Sequence, residues 1–418
     1  MDKQILAVCE IADHKVRLIV AEFFHTSLNI LKVEQVTTSG FDGRFVLDEQ
    51  ALIESVQRAI LNASKNLQAS IERVLLVVPS LGLQKYSQKL DVVVSNVDEG
   101  IQVKDIKKAY RQLMSQSVRV DKEVIFINIA RYLVNGIPFR KAPTTEKVEK
   151  MVVEADIYAA DKALTYQLAS IVEKAGCEIL DIVLDGWALA KETALLEQSN
   201  KDVMIAIRLD QSATQLNLYY HGKLISSEWL EIGYRQWVES IKKTFTLPYE
   251  VSSRLLTYNT DLKSTEYSNN PVYLWAVNEQ NKTCSQAEIM DVVYPQIEEW
   301  RKQIVRMCEP IIEKRTTKIL ISGEGALLEG LDEFVQEAFE KETKIYVPET
   351  IGARDPSLTV ALGAFYAYQD LESWRKKPFQ SVNVIEFEEM IGTKKAKEPT
   401  AELAIGKKIK SFLQTKRD

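Results

Sequence analysis

Three short stretches of this 418-residue chain carry residue types that could handle a phosphate group or a divalent cation. Glu10-Ile11-Ala12-Asp13 places two carboxylates at the end of an apolar run that begins at Ile5. Arg208-Leu209-Asp210-Gln211-Ser212 ends the run from Met204 in the same way. Ser322-Gly323-Glu324-Gly325 follows the apolar Lys318–Ile321 and sets a carboxylate between two glycines. A polar turn at the end of a buried strand is where backbone N–H groups can converge on an anion, provided small residues let the backbone approach. Carboxylates at such a turn orient a hard cation and its water. Phosphate and Mg²⁺ chemistry is therefore what these positions must be tested for.

Other chemistries find little support. The chain has three histidines, His14, His25 and His221, none with a ligand-like partner nearby. Cys9, Cys177, Cys284 and Cys308 are scattered, with no CxxC pair, which fits a reducing compartment and neither a zinc site nor a disulfide framework. A net charge of −6 argues against a dedicated nucleic-acid binder. No run reaches the roughly 18 apolar residues of a membrane span, and MDKQILAVCE lacks a signal peptide's apolar core. A cytoplasmic location is expected.

The elements that must position the turns repeat. Each turn leads into period-two alternation, Val16/Leu18/Val20 after the first and Leu216/Leu218/Tyr220 after the second, the signature of paired strands. Glu10 and Arg208 stand 198 positions apart, so the chain reads as two related halves. Asp48 can cap a helix with apolar positions Leu52, Ile53, Val56, Ile60 and Leu67, and a buried strand follows at Val74–Val78. Within 80–165 the pattern changes: a helix over Gln102–Met114, short strands at Val124–Ile129 and Arg131–Val134, an Asn135-Gly136 turn and a strand at Val148–Ile157. Asp185-Gly186 reads as a loop turn, or else as a polar group facing a cleft. The expected organisation is α/β: first lobe 1–79 and 166–200, inserted α+β module 80–165, and second lobe 201–235 and 306–372 with a smaller subdomain at 236–305. A polar linker, 373–401, and a terminal helix, 402–418, complete it.

That helix is distinctive. Ile405, Ile409, Phe412 and Leu413 share one face, while Lys407, Lys408 and Lys410 fall mostly on the rest. A basic amphipathic helix after a linker suits an anionic membrane surface, although a partner groove is the competing destination.

The duplicated hairpins, the SGEGALLEG loop and the terminal helix together resemble FtsA, the actin-like bacterial protein that tethers the division filament FtsZ to the membrane. Asp105–Ala130 is similar to the helix and strand of the family's SHS2-type insert, and Pro356–Tyr368 to its last connecting helix. The resemblance implies an actin-like two-lobed fold, ATP with Mg²⁺ between the lobes, self-association, and contacts with anionic membrane and other division proteins. It also implies capture of the FtsZ C-terminal peptide near Asp291–Cys308, with Trp300, Arg301 and Arg306 as candidate contacts. Where the family has Asp-Ile-Gly-Thr, this chain has Glu10-Ile11-Ala12-Asp13; for Asp-Ile-Gly-Gly-Gly-Thr-Thr-Asp it has Arg208 through Gln215. The family's ribose-contacting Glu-x-x-Lys falls on Ser253 and Leu256. Glu10, Ala12, Asp13, Asp210, Ser212, Gly323, Glu324 and Gly325 are then what is left of a nucleotide site, and ATP binding is expected to be weak or lost. Arg208 is expected to bridge to Glu10 or Asp13 instead. The leading expectation is a membrane-tethering division scaffold at the division site; the alternatives are an active actin-like ATPase or a type IV pilus scaffold of the PilM kind.

Overall fold

The computed structural model describes residues 4–24, 27–277, 280–312, 315–383 and 385–388. The first apolar run pairs with the segment after its turn, giving β1 (Gln4–Ala12) and β2 (Lys15–Phe24), and β3 (Ser27–Thr37) continues the meander. Asp48 caps α1 (Glu49–Leu67), its side chain accepting the Ala51 N–H at 3.0 Å, and β4 (Arg73–Val78) adds parallel to β1. The inserted module contains β5 (Gln84–Val93), α2 (Val103–Met114), β6 (Lys122–Val134), β7 (Ile137–Phe139) and β8 (Lys150–Asp161). The chain then returns through α3 (Lys162–Lys174), β9 (Glu178–Leu184), α4 (Asp185–Glu192) and α5 (Leu195–Gln198).

The second lobe repeats the plan with β10 (Val203–Leu209), β11 (Thr214–Tyr220) and β12 (Lys223–Leu230). Its small subdomain has α6 (Arg235–Phe245), α7 (Tyr249–Asn259), the hairpin β13 (Pro271–Val277) and β14 (Gln280–Ser285), and the long α8 (Gln286–Ile312). Next come β15 (Thr317–Ser322), α9 (Leu331–Phe339), β16 (Thr343–Ile345) and α10 (Thr359–Gln369). The two main sheets have orders β3-β2-β1-β4-β9 and β12-β11-β10-β15-β16. In each, three antiparallel strands are extended by two parallel ones, so the duplication seen in the hairpins extends to whole sheets.

Three buried clusters serve the first lobe, the second lobe and the insert. The first lobe's cluster also takes in α10 and Met204, Ala206, Tyr219 and Leu224 of the second lobe, so the lobes share packing at the base of their cleft. There α4 and α10 meet closely at Gly363, where a Cβ would fall 1.8 Å from the Ala188 carbonyl oxygen.

Several expectations change. The two short strands of the insert are one strand, β6, with register shifts at Val124/Phe126 and Ile129/Arg131. β5 and β12 were not anticipated; β5 alternates exposed and half-buried positions with few apolar residues, so its pattern is weak. The expected linker at 373–401 does not begin at 373: residues 373–383 pack on the body through Trp374, Arg375 and Ser381. The terminal helix, with Ile405, Lys407, Lys408, Ile409, Lys410, Phe412 and Leu413, lies outside the described residues.

Candidate functional site

The equivalent ends of β1 and β10 face each other across the cleft. Glu10 is opposite Arg17 in the β1/β2 register, and Arg208 is opposite Gln215 in β10/β11. All four side chains are buried, so each charge needs a partner. Arg208 meets three carboxylates: Nη2 lies 2.6 Å from Glu10 Oε1, Nε 2.7 Å from Asp210 Oδ2, and Nη1 3.6 Å from Asp185 Oδ2. Asp185 also accepts the Ser80 N–H at 2.8 Å and the Gln215 amide at 3.1 Å, so it faces the cleft instead of closing a loop turn. Arg208 is thereby held firmly protonated: burial opposes its charge, but Asp210, Glu10 and Asp185 outweigh burial.

A second junction gathers around Glu324. Lys15, Gln211 and Tyr234 contact its carboxylate, and Arg17 Nη2 lies 3.1 Å from it. Burial alone would raise this acid, but Arg17 and Lys15 bring it down to about 2, so it is charged. A third link joins Asp13 to the opposite turn, where it accepts both the backbone N–H and the hydroxyl of Ser212, the latter at 3.0 Å. Burial, with the Asp210 charge nearby, raises Asp13 to about 7. Arg44 reaches over the cleft to Glu231 at 2.6 Å.

Glu10, Ala12, Asp13, Asp210, Ser212, Gly323, Glu324 and Gly325 are therefore brought together; Asp13 and Ser212 partner each other, while Glu10, Asp210 and Glu324 are engaged by Arg208, Arg17, Lys15 and Tyr234. Both glycines answer to packing. A Cβ on Gly325 would sit 2.4 Å from Leu209 Cγ, and one on Gly323, at φ +91°, 2.6 Å from the Leu209 carbonyl oxygen. Arg17, Lys15 and Tyr234 were missed by sequence reasoning. Arg17 did leave a signal, as a charge inside the otherwise apolar Val16–Ala21, where only a buried partner could accommodate it.

Mg²⁺-bound nucleoside triphosphate, which the resemblance implies, does not fit this arrangement. The space bounded by Glu10, Asp13, Gly43, Asp185, Arg208 and Asp210 measures about 10 Å³, close to the volume that admits one water. A phosphate about 4 Å from the Asp210 carboxylate would be repelled by about 4 kcal/mol per charge pair at an effective dielectric of about 20. A larger space of about 240 Å³ opens beyond Glu324, lined among others by Tyr234, Ser253, Leu256 and Gly325.

The proposed partner contacts on α8 separate. Trp300 is fully buried and donates its indole N–H to Thr214 Oγ1 at 2.8 Å, so it belongs to the core and not to a docking face. Arg301 is mostly buried, paired with Glu298 at 2.7 Å and stacked over Phe334. Arg306 is exposed.

Two duplicated sheets flanking a cleft, with a crossing of helices at its base, define an actin-like protein. Solved structures agree on that fold. The PilM–PilN type IV pilus biogenesis complex matches with a TM-score of 0.57 at 15% identity, over 86% of this chain and 97% of that one. MreB5 of Spiroplasma citri bound to ADP matches at 0.52 and 12% identity, over 88% and 96%. No protein-family profile matches the chain. Curated relatives narrow the class. The cell division protein FtsA of Bacillus subtilis (strain 168) is 22% identical over 358 residues, 85% of this chain and 81% of the relative. FtsA of Enterococcus faecalis is 21% identical over 355 residues, 83% and 79%. The chain is thus similar to FtsA over most of its length.

Proposed function

We propose that this chain is a scaffold of the bacterial division machinery whose lobes are joined by side chains in place of Mg·ATP. It tethers FtsZ filaments to the cytoplasmic face of the membrane at the division site. The observation that supports the nucleotide-free part is the Arg208–Glu10 pair at 2.6 Å, which joins the ends of the two strands whose turns would hold phosphates by the resemblance. FtsA relatives aligning over most of the chain support the division role.

Attachment rests on residues 402–418. Ile405, Ile409, Phe412 and Leu413 on one face with lysines on the rest make this segment the means of binding an anionic surface. A single short apolar face binds lipid weakly, and self-association of the body presents many tails at once. The exposed Arg306 and Lys302 on α8 offer cations to an acidic FtsZ peptide, which replaces the earlier assignment to Trp300.

Co-sedimentation with vesicles containing anionic lipid tests this reading. FtsZ should sediment with the full chain equally well with and without Mg·ATP, and should stay in solution when residues 402–418 are deleted. Sedimentation unaffected by the deletion would overturn the tether. Sedimentation that requires ATP would overturn the nucleotide-free scaffold.

A further inference from the structure

The segment after α10 does not leave the body. Residues 371–383 run along the seam between the insert and the first lobe, and they hold the two sides by different chemistry. At the lower end the attachment is mainly backbone. Ser381 donates its N–H to the Ile5 carbonyl at 2.9 Å, and its own carbonyl accepts the N–H groups of Glu72 at 2.8 Å and Arg73 at 3.1 Å. Val382 forms an antiparallel bridge with Ile71, and Asn383 donates to the Ser70 carbonyl at 2.9 Å. The Ser381 hydroxyl oxygen accepts the Ala7 N–H at 2.7 Å. This end is in effect an extra piece of sheet, closing the exposed ends of β1 and β4.

The upper end holds the insert through side chains alone. Tyr132 donates its hydroxyl to Glu372 Oε1 at 2.8 Å, and the Trp374 indole N–H holds the other oxygen of that carboxylate at 2.6 Å. Trp374 meets the Tyr110 ring edge-on at 5.4 Å between centroids, and the Arg375 guanidinium lies over the same ring at 4.5 Å. Arg375 also donates to the Ile127 carbonyl at 3.2 Å. Tyr110 is on α2, and Ile127 and Tyr132 are on β6.

The insert has a second attachment of its own, where Phe126 and Tyr158 pack against Trp187 of α4, with ring centroids 4.5 and 5.4 Å from the indole. Between that hinge and the strap lies a groove of about 790 Å³, whose walls include Ile129 and Arg140 of the insert, Trp187 of α4, and Glu372 and Trp374 of the strap. The insert is thus held along its base, by these rings and by the Asp156–Lys223 pair at 2.8 Å, and braced at a second place across an open groove, so that letting go of the brace frees its far end.

We propose that residues 371–383 form a releasable brace that sets the angle of the insert against the first lobe. Its Ser381–Asn383 end is a permanent anchor and its Glu372–Arg375 end a detachable grip. The two ends differ in how they come apart. Breaking the lower end strands several buried backbone donors and acceptors, whereas at the upper end Glu372, Trp374 and Arg375 are half-buried and pass to water, with the Tyr132 hydroxyl the one buried side-chain group left behind. Opening therefore starts at the grip, with the anchor still in place.

Hydrogen exchange of the full-length chain tests this. Trp374→Ala combined with Arg375→Ala should speed exchange in α2 and in the Tyr132 end of β6 by about tenfold, through local opening. Amides at Ile5–Ala7 and Glu72–Arg73 should keep their protection. Unchanged exchange in α2 would overturn the brace; a rise spread evenly over the first lobe would also overturn it, because the segment would then be ordinary core. Tyr132→Phe, which removes one hydroxyl and leaves the core packing intact, guards against misfolding of the double variant and should move α2 in the same direction by less. In Ser381→Ala the effect should reverse its location, with faster exchange near Ala7 and none in α2.

Discussion

Arg208 Nη2 lies 2.6 Å from Glu10 Oε1, and the two residues occupy corresponding positions of the duplicated sheets, 198 residues apart. A symmetric pair of strand ends has thus become an asymmetric pair of charges. The cation on one lobe and the acid on the other satisfy each other where a ligand would otherwise be needed between them. Taking two ions out of water is costly, and mutual attraction with good hydrogen bonding only offsets that cost. What such a pair supplies is geometry: the lobes meet at one angle.

Removing Arg208 takes the shared cation from three buried acids and leaves Glu10 only Arg17 Nη1, at 3.3 Å. Arg208→Met leaves Glu10, Asp185 and Asp210 buried without their shared cation, and should destabilise the protein by about 3–5 kcal/mol. Urea unfolding measures this; a midpoint equal to that of the parent chain would contradict the structural role assigned to Arg208. Arg208→Lys should recover only part of the loss, since one ammonium cannot present the separate guanidinium nitrogens that Glu10, Asp185 and Asp210 meet.

Mg·ATP should leave the protein unaffected. A ligand that binds only the folded state stabilises it by RT ln(1 + L/Kd), where L is the free ligand concentration, which raises the melting temperature with ligand concentration. With the space at Glu10, Asp13, Arg208 and Asp210 near 10 Å³, millimolar Mg·ATP should give no thermal shift and no heat in calorimetric titration. A dissociation constant in the micromolar range would refute the nucleotide-free joint.

Stability should fall as pH rises from about 4 to 7. Asp13 keeps its proton in the folded chain up to about 7, against an ordinary value of 3.8, because it is buried beside Asp210 and Asp42. Its Ser212 hydrogen bonds act in the opposite direction and are outweighed, and the neighbouring His14 is itself held down by burial, so it adds little positive charge. In that window the unfolded chain has released a proton that the folded chain still holds, so unfolding gains as pH increases, by roughly 4 kcal/mol at most. Glu192, raised by burial to about 7, contributes with the same sign. Asp13→Asn should flatten part of the slope between pH 4 and 7, and Glu192→Gln a further part, with Asp181 and Asp210, also raised by burial, left to act in the same sense; an unaltered slope in both variants would show Asp13 and Glu192 to be ordinary. Glu324 acts the other way. Its carboxyl is held at about 2, so the stability it adds is complete above its ordinary value of 4.5 and is lost as pH drops toward 2.

Gly363→Ala should separate the two helices at the base of the cleft. The new methyl would meet the Ala188 carbonyl oxygen at 1.8 Å, and because that atom is backbone, the α4–α10 crossing itself must move. Overpacking of this kind costs roughly 1–3 kcal/mol. Denaturant unfolding would register it, and a fully retained midpoint would mean that the crossing is looser than the structure indicates.

Much of the frame was legible locally. The paired hairpins announced themselves through apolar runs followed by alternation, and Asp48 announced its helix as a cap. The Gly323–Gly325 turn was equally plain, but what it packs against was not, because Leu209 lies 114 residues before Gly323 in the chain. β5 and the 371–383 strap were illegible for a related reason. Their side chains are mixed and half-exposed, and what fixes them is hydrogen bonding to distant segments: β8 for the one, β1 and the start of β4 for the other.

By itself the sequence determined that there are two related halves, that each ends its first strand in a polar turn, and that both turns lack the glycines, and the second also the acids, of the family they resemble. Periodicity and residue chemistry are local properties and survive in one dimension. Which charges neutralise one another was decided only in the tertiary structure. For Arg208 the sequence offered Glu10 or Asp13, and the packing of two lobes gave it Glu10, together with Asp210 and Asp185, while turning Asp13 to Ser212. A buried charge must be matched by whatever the fold brings beside it, and that selection is made by the closing of the cleft.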